Sequence, residues 1–127
     1  MTAPIFKLLN ASEELKPYLE TKHPKVVLRA YEFGLAPDKV KKPYLVWQDL
    51  TGTPQNHIDC PALTDHFTIQ IDIYAETPDD LAAIKNAARR ALELDNACTV
   101  TSLRGNVREP ETKLYRTGFD SNWFVDR

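Results

Sequence analysis

The chain has 127 residues, a formal net charge of -2 and 43% hydrophobic residues. A chain of this length buries about two thirds of its unfolded surface, so we expect one domain over residues 1–127 that needs no metal or disulfide to fold. The small negative charge disfavours sequence-independent binding of nucleic acid, which depends on neutralising phosphates with Lys and Arg. Two cysteines do not form a disulfide framework, and no apolar run approaches the roughly 20 residues that cross a bilayer. We therefore expect a soluble protein made in the cytosol, without a membrane partner.

The N-terminal segment carries apolar residues at helical spacing between Ile5 and Leu19. This spacing predicts a helix from Pro4 to about Glu20. Pro17 would bend or restart that helix, and Ser12, followed by two glutamates, is suited to cap a second short segment.

Two strands are predicted next, separated by a solvated loop. The β-branched and aromatic residues between Lys25 and Tyr31 favour a short strand, and the segment LAPDKVKKP that follows is typical of a loop. A second strand is predicted from Tyr44 to Trp47, with Pro43 at its start.

The fifteen residues TGTPQNHIDCPALTD, from Thr51 to Asp65, are polar and rich in turn-forming residues. They predict a long connection without regular structure. Because such connections in small domains are commonly functional, this segment is the candidate contact loop.

The middle of the chain changes from a strand pattern to a helix pattern within a few residues. Apolar residues alternate with polar ones from Phe67 to Ala75, which predicts a half-buried strand. Apolar residues then recur every three or four positions from Leu81 to Leu92, which predicts an amphipathic helix. Thr77 is expected to cap this helix, before a proline and two aspartates that suit its first turn.

Two further strands are predicted near the C terminus. Ala97 to Leu103 forms the first, and Gly105, Asn106 and Pro110 interrupt the chain before the second. In the second strand, Gly118 is a candidate bulge or bend. One face of that strand is expected to carry Tyr115, Thr117, Phe119, Ser121, Trp123 and Val125.

The order of these elements predicts an α+β fold. We expect a mostly antiparallel sheet of four to five strands, with two main helices packed on one face.

The densest group of reactive side chains lies in and after the predicted loop. It comprises His57, Asp59, Cys60, Asp65 and His66. Their spacing does not match that of a zinc site, and no partnered base for a catalytic thiol is evident. A solvated loop explains the group better, but a small cytosolic enzyme or ligand-binding domain that uses it remains the alternative from a different functional class.

No other motif predicts catalysis or a cofactor. The chain lacks a glycine-rich phosphate loop, a G-x-S-x-G elbow and an H-E-x-x-H motif. The acidic pair Asp79 and Asp80 suits a helix N terminus, and Glu109 with Glu111 suits a proline turn. We expect no enzymatic activity, no metal and no cofactor.

Four segments together resemble the tail completion or tail terminator family of long-tailed bacteriophages. They are LLNASEEL, KKPYLVWQDLTGTP, TIQIDIYAETPDD and YRTGFDSNWF, and the resemblance extends from Ile5 to Phe124. It implies a structural protein of the virion tail, assembled in the bacterial host cytoplasm. Members of that family close the tail tube as a ring, usually of six subunits, and offer a surface for head joining.

The resemblance implies as partners further copies of this chain, the tail tube protein and head–tail connector proteins, with DNA passing through a central channel without specific binding. A head–tail connector or minor tail protein is the nearest alternative. The candidate interface residues are Thr51, Gly52, Thr53, Pro54, Gln55, Asn56, His57, Glu109, Glu111, Tyr115, Phe119 and Trp123.

Overall fold

The computed structural model describes residues 3–22, 25–37, 39–57 and 60–126, and for 51–57, 60–65 and 125–126 it describes the backbone alone. The elements, in chain order, are α1 (Ile5–Asn10), α2 (Lys16–Leu19), β1 (Glu20–Thr21), β2 (Val27–Leu28), β3 (Ala30–Glu32), β4 (Tyr44–His57), β5 (Cys60–Ala75), α3 (Pro78–Glu93), β6 (Cys98–Arg108) and β7 (Tyr115–Asp126).

Five of the strands form the main sheet, in the order β3-β4-β5-β7-β6. The β3–β4 pair is parallel and the other three pairs are antiparallel. A separate small ladder joins β1 to β2. The predicted α+β class and its mostly antiparallel sheet are confirmed.

The core lies between one face of this sheet and the helices. Along β5, Ile69, Ile71, Ile73 and Ala75 are buried, as the alternation predicted. The predicted inner face of β7 is also confirmed over residues 117–123, where every second side chain is buried.

Helix α3 is the main helix and covers the sheet with its apolar stripe, which includes the buried Leu81, Ile84 and Leu92. Its start agrees with the prediction. The Asp80 backbone N–H donates to the Thr77 hydroxyl oxygen at 3.2 Å, so one of the unpaired amides of the first turn is satisfied.

The N-terminal helix is broken, as Pro17 indicated. Helix α1 ends at Asn10, and α2 is a single turn that contains Pro17 near its start. The Leu15 backbone N–H donates to the Ser12 hydroxyl oxygen at 3.3 Å, so Ser12 caps the turn that precedes α2, whereas the N-cap position of α2 itself is Leu15 and has no side-chain cap. The sheet is therefore covered by one long helix and two short ones rather than two main helices.

The single strand predicted between Lys25 and Tyr31 is in fact two short strands in different ladders. Val27 and Leu28 pair with β1, whereas Ala30 to Glu32 pair with β4. The chain crosses between the ladders at Arg29, which is buried and therefore needs several polar partners. Its guanidinium donates to the carbonyl oxygens of Pro43 and Tyr18 and to the Thr21 hydroxyl.

The prediction of an irregular loop from Thr51 to Asp65 is wrong. The β4–β5 ladder continues from the core through Gln55 paired with Thr64 to His57 paired with Cys60. The prolines of this segment misled the prediction, because a proline is tolerated where one side of a strand has no partner. Strand β3 pairs only with Leu45 to Trp47, so the outer side of β4 beyond Trp47 has no partner strand among the described residues.

Two details of the last strands also differ from the prediction. Strand β6 continues past Leu103 to Arg108, and Gly105 and Asn106 lie in a register shift inside it instead of ending it. Gly118 is not a bulge, because β7 stays in continuous register with β5 on both sides of it.

Candidate interaction surfaces

The face of the sheet opposite the helices, which we call the open face, is polar. Its side chains are half-buried by their neighbours within the sheet, and no described helix lies over it. By strand register it includes Tyr44, Val46, Gln48, Thr68, Gln70, Asp72, Tyr74, Arg116, Asp120 and Asn122.

An ion-pair cluster lies at the centre of the open face. Arg104 of β6 lies opposite Gly118 of β7, which in turn lies opposite Asp72 of β5. The Arg104 guanidinium passes over Gly118 and donates to the Asp72 carboxylate at 2.7 Å. It also donates to the Asp120 carboxylate and to the Ile71 carbonyl oxygen. One side chain thus joins the edge strand to the central strand across β7.

Gly118 is required by this crossing. A Cβ built at Gly118 would overlap both the Ile71 carbonyl oxygen and the Arg104 guanidinium. The glycine therefore serves close approach rather than a special backbone angle. Gln70 extends the cluster, because its amide nitrogen donates to Asp72 at 2.9 Å.

Two stacked ring pairs flank the cluster along the same face. Tyr44 stacks on Tyr74 and His66 stacks on Phe124, both with ring centroids 4.8 Å apart. Burial, followed by the nearby charges of Tyr74 and Glu109, raises the pKa of the Tyr44 hydroxyl, so that hydroxyl stays protonated. These pairs are cross-strand contacts that stabilise the ladders.

The β6 edge of the sheet, on the helix side, carries apolar and cationic groups. Leu103 is 54% exposed. The Lys85 ammonium donates to the Arg104 carbonyl oxygen at 2.8 Å, and Arg108 lies 5.4 Å above the Tyr115 ring. Burial lowers the pKa of the Lys85 ammonium, and the positive charges of Arg104 and Arg89 lower it further.

The opposite edge, formed by β3 and the start of β4, carries apolar groups and the carboxylates of Glu32 and Asp49 on the same side of the sheet, and Lys7 of α1 lines the same cleft. Phe6 is 44% exposed and its ring lies 6.3 Å from the half-buried Trp47 ring. Burial, then the charge of Glu32, raises the pKa of the Asp49 carboxyl. Among the described ion pairs, neither Asp49 nor Glu32 has a cationic partner.

A third surface feature is an open groove between α1 and the end of α3. Leu8 and Leu94 are among its apolar lining residues, and Leu94 is strongly exposed. Glu14 and Arg90 pair at its rim through a two-pronged contact. The charges at this rim are therefore already neutralised within the molecule.

The structure separates the candidate interface residues into groups. Residues 51–57 lie on β4 as backbone, and their side chains fall outside the described residues. Of the reactive group, Asp59 and the side chains of His57, Cys60 and Asp65 also fall outside them, whereas His66 lies on the open face. No metal-binding cluster is found among the described residues.

The remaining candidates differ in exposure. Glu109 and Glu111 lie in the turn between β6 and β7, and Tyr115 is half-buried under Arg108. Phe119 and Trp123 are fully buried in the core and offer no surface to a partner. Their side chains are buried in the core, so the structure does not support a contact role for Phe119 and Trp123.

Sequence reasoning missed the cluster formed by Arg104, Asp72 and Asp120. The sequence gives little sign of this cluster, because its three residues lie on three different strands. Gly118, in a strand that otherwise favours large residues, was the one visible sign that a neighbouring group comes close.

The match to known families decides the class of the protein. The model of the family Tail completion protein gp17 matches residues 3–126, which include every element of the fold. The chain belongs to this family. It is therefore a structural component of a bacteriophage tail. A comparison with curated proteins found no match. Within the described residues of this tail completion protein, no helix is long and apolar enough to cross a membrane.

Proposed function

We propose that this tail completion protein closes the end of the phage tail tube as a ring and provides the surface to which the head is joined. The observation that carries the proposal is the family match over residues 3–126. Six subunits is the number that the family resemblance implies. The proposed partners are further copies of the chain, the tail tube protein and head–tail connector proteins.

A ring needs a protomer with two different contact surfaces. Identical subunits joined through heterologous contacts close into a ring when the rotation between neighbours suits it. The main sheet has two unlike edges, β3 with β4 on one side and β6 on the other. This asymmetry supports a ring better than a two-fold dimer, which uses the same surface twice.

A central channel must also let DNA slide. A strongly basic wall would hold phosphates through release of their counterions. The net charge of -2 and the pairing of Arg104 with two aspartates on the open face are compatible with weak, non-specific contact. The proposed role needs no catalysis, and we infer that the protein is not an enzyme.

Binding to tube ends tests the proposal directly. Purified protein would be mixed with tail tubes and observed by electron microscopy, while native mass spectrometry over a concentration series gives the subunit number. We expect a ring at one end of each tube. A protein that stays monomeric at every concentration and never binds a tube end would contradict the proposal.

The same experiment separates the terminator role from the connector alternative. Binding to filled heads without binding to tubes would favour a connector. Binding to neither, with an activity or ligand that depends on His57 or Cys60, would favour the small enzyme or ligand-binding domain.

A further inference from the structure

We propose that a second copy of this chain docks edge to edge, with the β6 edge of one copy against the β3–β4 edge of the next. The contact sets Leu103 and Arg108 of one copy against Phe6, Trp47 and Asp49 of its neighbour. This inference rests on the proposed ring and specifies the surface through which it forms.

Both edges offer backbone groups to a partner. In the strand order β3-β4-β5-β7-β6, one side of β6 faces away from β7 over an 11-residue strand. At the opposite edge of the sheet, β3 pairs with β4 only from Leu45 to Trp47. Among the described residues, the outer backbone groups of β4 from Gln48 onward therefore have no partner strand. Edges of this kind pair readily with another strand unless they are blocked.

The apolar groups of the two edges lie on the same side of the sheet. Leu103 pairs in register with the core residue Phe119, so its side chain is on the helix side of β6. Trp47 pairs in register with the core residue Ile71, so it is on the helix side of β4, where Phe6 contacts it. A sheet that continues from copy to copy would bring these groups together and remove them from water.

The charges of the two edges are complementary. Arg108 pairs in register with Tyr115, which places it on the helix side of β6, and Lys85 adds a second cation there. Asp49 and Glu32 are carboxylates at the other edge with no cationic partner among the described ion pairs. Complementary charges of this kind set the orientation of an interface and oppose the wrong pairing of like edges.

Exchange of the charges between the edges tests the contact. Arg108→Glu or Asp49→Arg alone should weaken self-association about tenfold, because an attraction between copies becomes a repulsion. The double variant, which reverses both charges in every copy, should restore association to within about threefold of the wild type. Sedimentation over a concentration series measures these association constants, and Lys22→Glu and Glu76→Lys are matched charge changes at residues outside β3, β4 and β6.

A cross-linking experiment tests the geometry. Leu50 is exposed and lies on β4 beyond the part that β3 covers. Leu103→Cys protein would be mixed with Leu50→Cys protein and treated with a short bismaleimide, with unsubstituted protein as the control for Cys60 and Cys98. We expect the mixture to form several times more dimer than either variant alone. Equal yields, or faster coupling of Leu103→Cys to itself, would overturn the edge-to-edge arrangement.

The outcomes separate this inference from the proposed function. Rings on tube ends that are unaffected by the charge variants would overturn the edge contact and leave the ring. Open filaments that respond to the charge exchange would support the edge contact and contradict the ring. A monomer under all conditions, with tubes present, would overturn both.

Discussion

Gly118 is the position where a single added methyl group should matter most. We expect Gly118→Ala to lower the free energy of unfolding by about 2–4 kcal/mol, because the new Cβ must displace a strand carbonyl and the Arg104 guanidinium. Gly105 is the matched control, since a Cβ there meets nothing within 4 Å. Urea unfolding of the two alanine variants measures the difference. Equal stabilities would mean that Arg104 does not cross β7 in solution.

Asp49 should make stability depend on pH. Its folded pKa is raised above the ordinary 3.8 by burial and by Glu32, so the ionised form is destabilised in the folded state. Asp49→Asn should therefore stabilise the protein at neutral pH. The gain should shrink as the pH falls through the raised pKa and be lost below 3.8. Unfolding at several pH values, at a concentration low enough for the protein to be monomeric, measures it, and a gain that grows in acid would contradict the raised pKa.

At the scale of elements, the Thr77 cap of α3 should contribute to the stability of the folded protein. We expect Thr77→Ala to lower the unfolding free energy by about 1 kcal/mol, since the Asp80 N–H loses its acceptor. Thr77→Ser keeps the hydroxyl and should change stability by only a few tenths of a kcal/mol. Thermal unfolding of the two variants compares them, and equal losses would show that the hydroxyl is not the cap.

The end of the β4–β5 hairpin should open more easily than its base. The β5–β7 ladder begins at Thr64, so among the described residues the part of β5 from 60 to 63 has only β4 as a neighbouring strand. A two-stranded ribbon is marginally stable on its own. We expect the amides of Cys60, Ala62 and Leu63 to exchange faster than those of 69–73 in the free protein, and more slowly once rings form. Equal protection in the free protein would show that other contacts stabilise the ribbon.

The elements that the sequence predicted correctly are those whose signal is local. The alternation in β5 and the spacing in α3 are each contained within about sixteen residues, and Thr77 marks the boundary between them. The β4–β5 ladder between Thr51 and Asp65 was missed because no alternation of apolar and polar residues marks it in the sequence. The contact between Arg104 and Asp72 was missed because it depends on the register of three strands, which no short segment specifies.

For the whole molecule, self-association should appear as a concentration-dependent stability. Copies that bind only in the folded state stabilise it by mass action, at about 2.7 kcal/mol when the concentration is a hundred times the dissociation constant. For a domain of this size, that corresponds to a rise of roughly 10 °C in thermal midpoint. High salt should reduce the rise, since charged edges contribute to the contact.

A substitution at Leu103 tests whether this self-association depends on the β6 edge. Leu103→Glu places a negative charge opposite the Asp49 and Glu32 carboxylates of the neighbouring copy and should flatten the dependence of the midpoint on concentration, because like charges repel across the contact. Val26→Glu changes another exposed apolar residue, which lies outside β3, β4 and β6, and should leave that dependence intact. Differential scanning calorimetry over a concentration series, at low and high salt, measures both. A wild-type midpoint that does not move with concentration, or a Val26→Glu effect equal to that of Leu103→Glu, would show that β6 does not carry the association.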